Sequence, residues 1–246
     1  IIKIHILLMK FNCNGRTFWE IRNKIYSFFL KNFVPYNELI ENIINQLNLR
    51  PGFYILDAGC GPGIFEKKLM EKRVPDIKVE AIDISDKIIQ IAKQNNPYSN
   101  NINFRVMDLN EKLEFKDRTF DAIVCINVLY LLEKPLNTLL EFYRILKERG
   151  KIILTIPKYN FNYGTLFRDH FLKKKGLKKI RDAIIFPLVL GIIFPFELLI
   201  TMKERKGKYY RFKEKDIIKL FQSTPFKYFK ITDSYARQNF LVTAEK

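Results

Sequence analysis

Three glycines at alternate positions, Gly59, Gly61 and Gly63, follow an apolar run in the segment ILDAGCGPGIF, residues 55–65. Glycine suits such a loop because it adopts positive φ angles and lets a ligand approach the main chain closely. The spacing is G-x-G-x-G, not the G-x-G-x-x-G of dinucleotide sites, and no Lys-Ser/Thr pair of a phosphate-binding loop follows. The loop therefore predicts a site for a nucleotide-like ligand that carries no phosphate.

Polar side chains stand where the next three predicted strands end. Asp83 ends the strand KVEAID, about 20 residues past the loop, where an acid can accept hydrogen bonds from both ribose hydroxyls. Asp108 ends the third strand, where a carboxylate can bond an adenine amino group, and Asn127 ends the fourth. Because the carboxyl ends of parallel strands meet at one edge of a sheet, we expect these residues to converge with Asp57 on one crevice.

Each of these residues also has a purely structural interpretation. The glycines can form a plain tight turn, and Asp83 or the nearby Ser85 can cap a helix. Asp108 can belong to a turn, and Asn127 can be a cap. A single binding site explains polar residues at successive strand ends with one cause, so we favour the binding interpretation.

The order of apolar segments predicts an α/β fold, a mostly parallel, doubly wound Rossmann-like sheet. Helical patterns alternate with predicted strands at residues 54–58, 78–83, 101–108, 120–127 and 151–157. A helix at 135–148 precedes Gly150 and the fifth of these strands. The segments 226–234 and 238–245 predict a terminal β-hairpin that closes the sheet. Residues 16–47 predict helices interrupted at Pro35.

Composition narrows the classes of function. A chain of 246 residues with 48% hydrophobic and 28% charged residues suits one globular α/β domain. Three widely spaced cysteines and two histidines, His5 and His170, favour neither a disulfide framework nor a metal site, and they fit a reducing cytosol. The apolar start is too short for a signal peptide. The net charge of +17 leaves nucleic acid, an anionic membrane and general lysine enrichment as explanations.

An apolar run at residues 183–202 interrupts the predicted domain, and lysine-rich segments flank it on both sides. Its length is close to the ~20 residues of a membrane-spanning helix. Pro187, Gly191 and Pro195 disfavour a straight helix, and the terminal hairpin must rejoin the sheet on the same side. Two interpretations stay open: a helical hairpin lying in the plane of an anionic membrane, with contact through 172–211, or an internal lid over the pocket. Both favour an apolar acceptor.

The chain resembles the class I S-adenosylmethionine-dependent methyltransferases, and within them the type 11 group that includes quinone-biosynthesis-like enzymes. The resemblance lies in four ordered motifs, YILDAGCGPG, VEAIDIS, FRVMDLN and FDAIVCINVLYLLEKPLNTLLEFYRILKERGKIILTIP. It covers roughly residues 50–157. It implies a seven-stranded sheet with an antiparallel last strand, S-adenosyl-L-methionine as cofactor, and methyl transfer, EC 2.1.1.-, as activity.

The resemblance also implies roles for individual residues. Asp57 and the main chain at Gly59 and Gly61 would hold the methionine moiety. Asp83 would bind the ribose, and Met107 would flank the adenine together with the residue after it. The expected cofactor-binding residues are Asp57, Ala58, Gly59, Cys60, Gly61, Gly63, Asp83, Ile84, Met107, Asp108, Leu109 and Asn127.

No catalytic residue follows from the sequence, because a sulfonium methyl needs a general base only when the acceptor is protonated. Tyr130 and His170 are conceivable bases, but we expect Tyr130 in helix packing and His170 at the surface. Transfer to an apolar or lipid-like small molecule is the leading hypothesis. The alternatives are an RNA methyltransferase that uses the basic surface and a non-catalytic cofactor-binding module. The stretch INVLYLL lacks the Asn/Asp-Pro-Pro-Tyr/Phe pattern that holds a flipped base, which disfavours nucleic acid.

Four parts make up the predicted chain. Residues 1–49 form an N-terminal helical lid, and 50–157 form the cofactor-binding core. Residues 158–212 form the basic and apolar insertion, and 213–246 supply a terminal helix and the hairpin that completes the sheet. The expected location is the cytoplasm, with peripheral contact at the inner face of the membrane.

Overall fold

The structure, a computed structural model, describes residues 30–97, 100–184 and 210–246, and its centre is a seven-stranded sheet. The strands are β1 Tyr54–Ala58, β2 Lys78–Asp83, β3 Ile102–Val106, β4 Phe120–Ile126, β5 Leu146–Pro157, β6 Tyr228–Ser234 and β7 Asn239–Glu245. They lie in the order β3-β2-β1-β4-β5-β7-β6, and β7 runs antiparallel to both of its neighbours. This arrangement confirms the predicted doubly wound sheet with an antiparallel last strand.

Helices cover both faces of the sheet. They are α1 Val34–Leu47, α2 Ile64–Met70, α3 Asp86–Asn95, α4 Pro135–Ile145, α5 Tyr163–Lys173 and α6 Glu214–Gln222, with a short 3-10 turn at Leu129–Leu131. Successive residues of a strand point to opposite faces, which divides the core in two. In β5, Ile153 packs with α1, α2, α3 and α5, whereas Ile152 and Leu154 pack with α4 and α6.

Local sequence explains where the helices begin. The Ser85 side chain accepts a hydrogen bond from the N–H of Ile88 and caps α3. Pro35 lies in the first turn of α1, where its missing N–H leaves no bond unmade. The expected break at this proline is therefore the start of a helix, and the part of the predicted helical region before residue 30 lies outside the described residues.

The fifth strand begins earlier than the sequence pattern predicts. The expected helix over 135–148 ends at Ile145, and β5 starts at Leu146, five residues before the predicted position 151. Leu146 is fully buried and pairs with Phe120, while the Lys147 ammonium lies 2.9 Å from both carboxylate oxygens of Asp121. These contacts join residues far apart in sequence, so they override a local helical pattern.

The insertion is described only at its two ends. α5 follows β5, residues 177–184 are helical, and the chain is described again from Tyr210, whose N–H donates to the Tyr130 carbonyl over 2.9 Å. Most of the predicted apolar run 183–202 lies outside the described residues. Within the described ranges, no helix has the length and apolar character needed to cross a bilayer. The division of the chain into four functional parts stays a prediction.

Candidate functional site

The glycine loop follows β1 and is held from two sides. The N–H of Gly59 donates to the Ile82 carbonyl over 2.8 Å, which ties the loop to β2. A Cβ on Gly59 would lie 2.4 Å from Cγ2 of Val128, so only glycine lets the loop after β4 approach this closely. A Cβ on Gly63 would lie 2.5 Å from the Asn96 amide nitrogen. Two of the three glycines therefore exist for close packing against neighbouring elements.

Gly61, the middle glycine, faces open space. Its φ is +53°, and a Cβ built there would meet nothing within 4 Å. Its N–H donates to Oδ2 of Asp83 over 3.1 Å, and the N–H of Ser85 donates to Oδ1 of the same carboxylate over 2.9 Å. Ser85 caps α3, so Asp83 is not used as the helix cap. The Asp83 carboxylate is thus fixed at the rim of an open space beside the loop.

Burial disfavours the charged form of the Asp83 carboxyl. Burial raises the pKa of this carboxyl, and the hydrogen bonds from Ser85 and Gly61 oppose that rise because they stabilise the charged form. A ligand with hydroxyl donors, such as a ribose, would add further stabilisation of the charged carboxylate.

Asp57 is paired with an acid that the sequence analysis missed. Asp57 is 1% exposed and Glu66, in the first turn of α2, is fully buried. Oδ1 of Asp57 and both carboxyl oxygens of Glu66 have no hydrogen-bond donor among the described residues. Burial raises the pKa of Asp57 to about 7, and burial together with the Asp57 charge raises that of Glu66. We therefore expect the pair to retain a proton near neutral pH, because two adjacent buried carboxylates repel. The apolar neighbours of Glu66 at helical spacing were the signal for its burial.

Asn127 belongs to a polar network across three strand ends. It has a φ of +57°, and its N–H reaches the carbonyl and the hydroxyl of Thr155, both at 3.1 Å. Its amide oxygen accepts from the Thr155 hydroxyl over 3.0 Å and from the Asn239 amide nitrogen over 2.7 Å. With its oxygen directed toward β5 and β7, the planar amide directs its NH₂ away from both strands. Sequence reasoning did not identify Thr155 and Asn239, since nothing in a strand pattern shows which residues of distant strands meet.

The adenine side of the predicted site lies after β3, which ends at Val106, two residues before Asp108. The half-buried Met107 donates its N–H to the Asp83 carbonyl over 3.0 Å, so it lies next to the ribose-binding candidate. Oδ1 of Asp108 accepts from the N–H and the amide of Asn110, at 2.9 and 3.0 Å. One oxygen of Asp108 therefore serves the turn, as the structural interpretation anticipated.

The remaining predicted cofactor residues are mostly covered. Ala58, Cys60 and Leu109 are buried, at 0%, 8% and 8% exposure, and Ile84 is half-buried. The Leu109 carbonyl accepts from the Thr138 hydroxyl over 3.0 Å, beneath α4. Contact between the cofactor and Ala58 or Leu109 would thus involve their main chain.

Four aromatic side chains border the same edge of the sheet, and we call them the aromatic cluster: Tyr36, Phe161, Tyr163 and Tyr235. The Phe161 and Tyr163 rings are 4.8 Å apart, and Tyr235 lies 6.3 Å from both Tyr36 and Phe161. All but Tyr235 are partly exposed. These residues follow β5 and β6 or begin α1, so an apolar surface lies at the carboxyl edge of the sheet.

The two conceivable bases occupy packing positions. Tyr130 lies in the 3-10 turn and packs, half-buried, against the core on the α4 side. His170 is 1% exposed, which overturns the expectation of a surface residue. Its Nδ1 accepts from the N–H of Val34 over 3.2 Å, and its ring lies 5.0 Å from that of Phe33. The histidine joins α5 to the start of α1 through Nδ1. Its Nε2 lies 3.3 Å from the Asp182 carboxylate and has no hydrogen-bond partner among the described residues.

Residues 56–154 match the family model described as a methyltransferase domain, of the type 11 group. Demethylmenaquinone methyltransferase from Symbiobacterium thermophilum is 31% identical over 46% of this chain and 46% of its own length. Ubiquinone biosynthesis O-methyltransferase from Coxiella burnetii is 27% identical over 63% of this chain and 62% of its own length. The chain thus spans less than two thirds of either relative.

The fold is shared with solved structures. A SAM-dependent methyltransferase from Aquifex aeolicus superposes with a TM-score of 0.61, at 19% identity, over 91% of this chain and 97% of its own. Residues 56–154 are a class I methyltransferase domain. S-adenosylmethionine is the cofactor of this methyltransferase domain.

The residues of the methyltransferase domain fit this cofactor. The space beside Gly61 would admit a ligand close to the main chain, and the Asp83 carboxylate at its rim has the chemistry to accept ribose hydroxyls. Val128 closely approaches Gly59 at the start of the glycine loop, so the preceding residue, Asn127, lies near that end of the loop. The individual contacts stay predictions.

Proposed function

We propose that this chain transfers the methyl group of S-adenosylmethionine to an apolar or lipid-like small molecule. The observation that carries the proposal is the Asp83 carboxylate, which the Gly61 N–H holds beside open space at the carboxyl edge of the sheet. The aromatic cluster borders the same edge and offers an apolar surface to an acceptor. Apolar pockets with a few placed polar groups are typical of small-molecule sites.

S-adenosylmethionine supplies a sulfonium-bound methyl group that is transferred by in-line displacement. The role of the chain is to bind and orient the two reactants, because effective molarity can contribute roughly 7–11 kcal/mol to such a reaction. Asp83 would fix the ribose. Asn127 would join Asp57 and the main chain of the glycine loop in holding the methionine end. No described side chain is assigned as a general base.

Two relatives support a lipid-like acceptor by their names, since one acts on demethylmenaquinone and the other in ubiquinone biosynthesis. Quinones of this kind reside in membranes. We therefore propose a cytoplasmic protein that acts at the inner membrane face. The net charge of +17 supports attraction to anionic lipid as well as to RNA, so the test must separate the two.

The decisive experiment is incubation of the full chain with methyl-labelled S-adenosylmethionine and fractionated cell extract. We expect label in the organic phase. Asp83→Ala serves as the variant with weakened cofactor binding, and Phe161→Ala serves as the variant with an altered acceptor surface. We expect Phe161→Ala to reduce labelling while leaving calorimetric binding of S-adenosylhomocysteine unchanged.

Each other outcome would overturn the proposed function or the proposed acceptor site. Label in RNA would replace the proposal with an RNA methyltransferase. Cofactor binding without label in any fraction would indicate a non-catalytic binding module. Equal labelling by Phe161→Ala and the unaltered chain would remove the aromatic cluster from the acceptor site.

A further inference from the structure

Four large aliphatic side chains at the end of α5 and just after it are exposed to solvent. Leu172, Leu177, Ile180 and Ile184 are 72%, 83%, 60% and 69% exposed. Single exposed aliphatic residues are common on proteins, but a contiguous group marks an interaction surface. These four lie within thirteen consecutive residues of the sequence.

The helix at residues 177–184 has its apolar side turned away from the protein. With 100° per residue, Leu177, Ile180 and Ile184 share one side, and Asp182 lies roughly 170° from it. The Asp182 carboxylate points inward, 3.3 Å from Nε2 of His170 and 3.2 Å from the Lys174 ammonium. A soluble helix ordinarily packs its apolar side inward, so this reversed arrangement calls for an apolar partner.

Contacts with α1 hold this surface in a defined place. The Lys173 ammonium lies 2.6 Å from the Glu38 carboxylate, and Lys174 donates to the Asn32 carbonyl over 2.9 Å. These contacts and His170 join α5 to the body of the domain. The exposed aliphatic side chains are therefore presented by elements fixed to the domain.

Basic side chains share the helix at residues 177–184 with its apolar side: Arg181 lies roughly 70° around the axis from the centre of that side, and Lys178 and Lys179 lie roughly 130° from it. Lys175, Lys178 and Lys179 are exposed, and Arg181 lies next to the apolar stripe on the same helix. Basic side chains near an aliphatic stripe match the boundary of an anionic bilayer, where acyl chains meet negative head groups. RNA would use the lysines but would leave the aliphatic side chains in water. Protein-binding hot spots are enriched in tryptophan, tyrosine and arginine, and this stripe is aliphatic.

We propose that Leu172, Leu177, Ile180 and Ile184 dock the protein on an anionic lipid bilayer. The inference deepens the proposed function by naming the surface that reaches the membrane, and its purpose rests on that function. The aliphatic side chains enter the boundary between head groups and acyl chains, and the lysines contact the head groups. α5 is about 16 Å long and begins beside the aromatic cluster, so the docked face lies within reach of the acceptor surface.

The test measures co-sedimentation of the full chain with phosphatidylcholine vesicles, with and without phosphatidylglycerol. One variant combines Leu177→Ser, Ile180→Ser and Ile184→Ser, and a second combines Lys175→Gln, Lys178→Gln and Lys179→Gln. The control combines Val106→Ser and Leu140→Ser, which are 43% and 40% exposed elsewhere on the domain. Circular dichroism and binding of S-adenosylhomocysteine verify that each variant is folded.

We expect strong binding of the unaltered chain to anionic vesicles only. The serine variant should lose about tenfold or more in vesicle affinity and keep any binding to polyuridylate. The glutamine variant should lose its preference for anionic lipid and its salt dependence. The control should bind vesicles as the unaltered chain does.

Three results would overturn the proposal: equal vesicle binding by the serine variant, binding of the unaltered chain to polyuridylate but not to vesicles, or conversion of a dimer to a monomer by the serine changes without any vesicle binding. Vesicle binding needs neither cofactor nor acceptor, so its failure is separable from failure of the proposed function. Methyl labelling of the organic phase, measured in detergent without vesicles, reports on that function alone.

Discussion

The Asp83 carboxylate accepts a hydrogen bond from the main-chain N–H of Gly61 over 3.1 Å, which joins the end of β2 to the glycine loop. The second oxygen accepts from Ser85 over 2.9 Å, so the carboxylate has one orientation. Two features predicted separately from the sequence, the glycine spacing and the acid at the next strand end, are thus parts of one structure.

Asp83→Ala should weaken binding of S-adenosylhomocysteine by about 1–3 kcal/mol, because it removes charge-assisted hydrogen bonds to the ribose and the support of the loop. Titration calorimetry measures the change. Asp86→Ala is the matched control, since Asp86 is exposed and its carboxylate accepts from Gln90 on the same helix, α3. Unchanged affinity in Asp83→Ala would remove Asp83 from the ribose site.

Thr155→Val and Asn239→Ala should each release the Asn127 amide from its fixed orientation, because each removes one of the two donors to its oxygen. If Asn127 contacts the methionine end, affinity for S-adenosylhomocysteine should fall about 3- to 10-fold. Affinity for 5′-methylthioadenosine, which lacks the amino-acid part, should stay the same. Asp83→Ala, by contrast, should weaken both ligands.

Thr232→Val on β6 is the control for these two variants, because the Thr232 hydroxyl donates to the Leu241 carbonyl on the neighbouring strand β7. An equal loss for both ligands would indicate general damage to the sheet edge. No loss for either ligand would place the Asn127 amide outside the cofactor site.

Glu66→Gln should change how stability depends on pH. An acid whose pKa is raised on folding holds its proton more tightly in the folded state, so stability falls as pH rises from the unfolded value to the folded one. For the Asp57–Glu66 pair this interval runs from about 4 up to about 7 and beyond, because burial raises both pKa values. Glutamine keeps the volume and cannot ionise.

Urea unfolding at pH 5 and pH 8 measures this effect. We expect Glu66→Gln to be more stable than the unaltered chain at pH 8, by about 1–3 kcal/mol, and the gap to narrow toward pH 5. Glu71→Gln, an exposed change just beyond the end of α2, is the control. Parallel pH profiles for Glu66→Gln and the unaltered chain would show that the pair does not hold a proton.

Some strand boundaries follow from the local sequence and others do not. β1 and β2 begin and end where the apolar runs predict, since burial on both faces makes their signal continuous. The start of β5 at Leu146 was missed, because its pairing with Phe120 is a tertiary contact that no local pattern encodes. Local sequence patterns indicated the presence and order of the strands, whereas the start of β5 depends on a tertiary contact.

The residues of the candidate site likewise include some that the local sequence indicates and some that it does not. Asp83 and Gly61 were identified because each stands at a strand end or turn with a recognisable spacing. Thr155 and Asn239 could not be identified, because they act through Asn127 across strands that are distant in sequence. His170 was wrongly expected at the surface. Its burial comes from packing between α5 and the start of α1, a tertiary contact that the local sequence does not indicate.

His170→Phe tests that packing. The imidazole Nδ1 accepts a hydrogen bond from the N–H of Val34. The Asp182 carboxylate lies 3.3 Å from Nε2, and the Lys174 charge also acts on the ring. Burial, with the Lys174 charge, lowers the pKa of His170. A histidine with a lowered pKa contributes stability that is present above its unfolded pKa of about 6.5 and is lost as pH falls through the folded value.

Phenylalanine keeps the ring contact with Phe33 but leaves the Val34 N–H unpaired, so His170→Phe should destabilise the protein by about 1–3 kcal/mol at pH 8. Because phenylalanine does not titrate, the difference should shrink as pH falls below about 6, where the unaltered chain loses the histidine contribution. Thermal unfolding across this pH range measures both effects, with the exposed Arg168→Gln change on α5 as control. A difference that stays constant with pH would mean that His170 keeps its ordinary pKa and that its proton plays no part in holding α5 to α1.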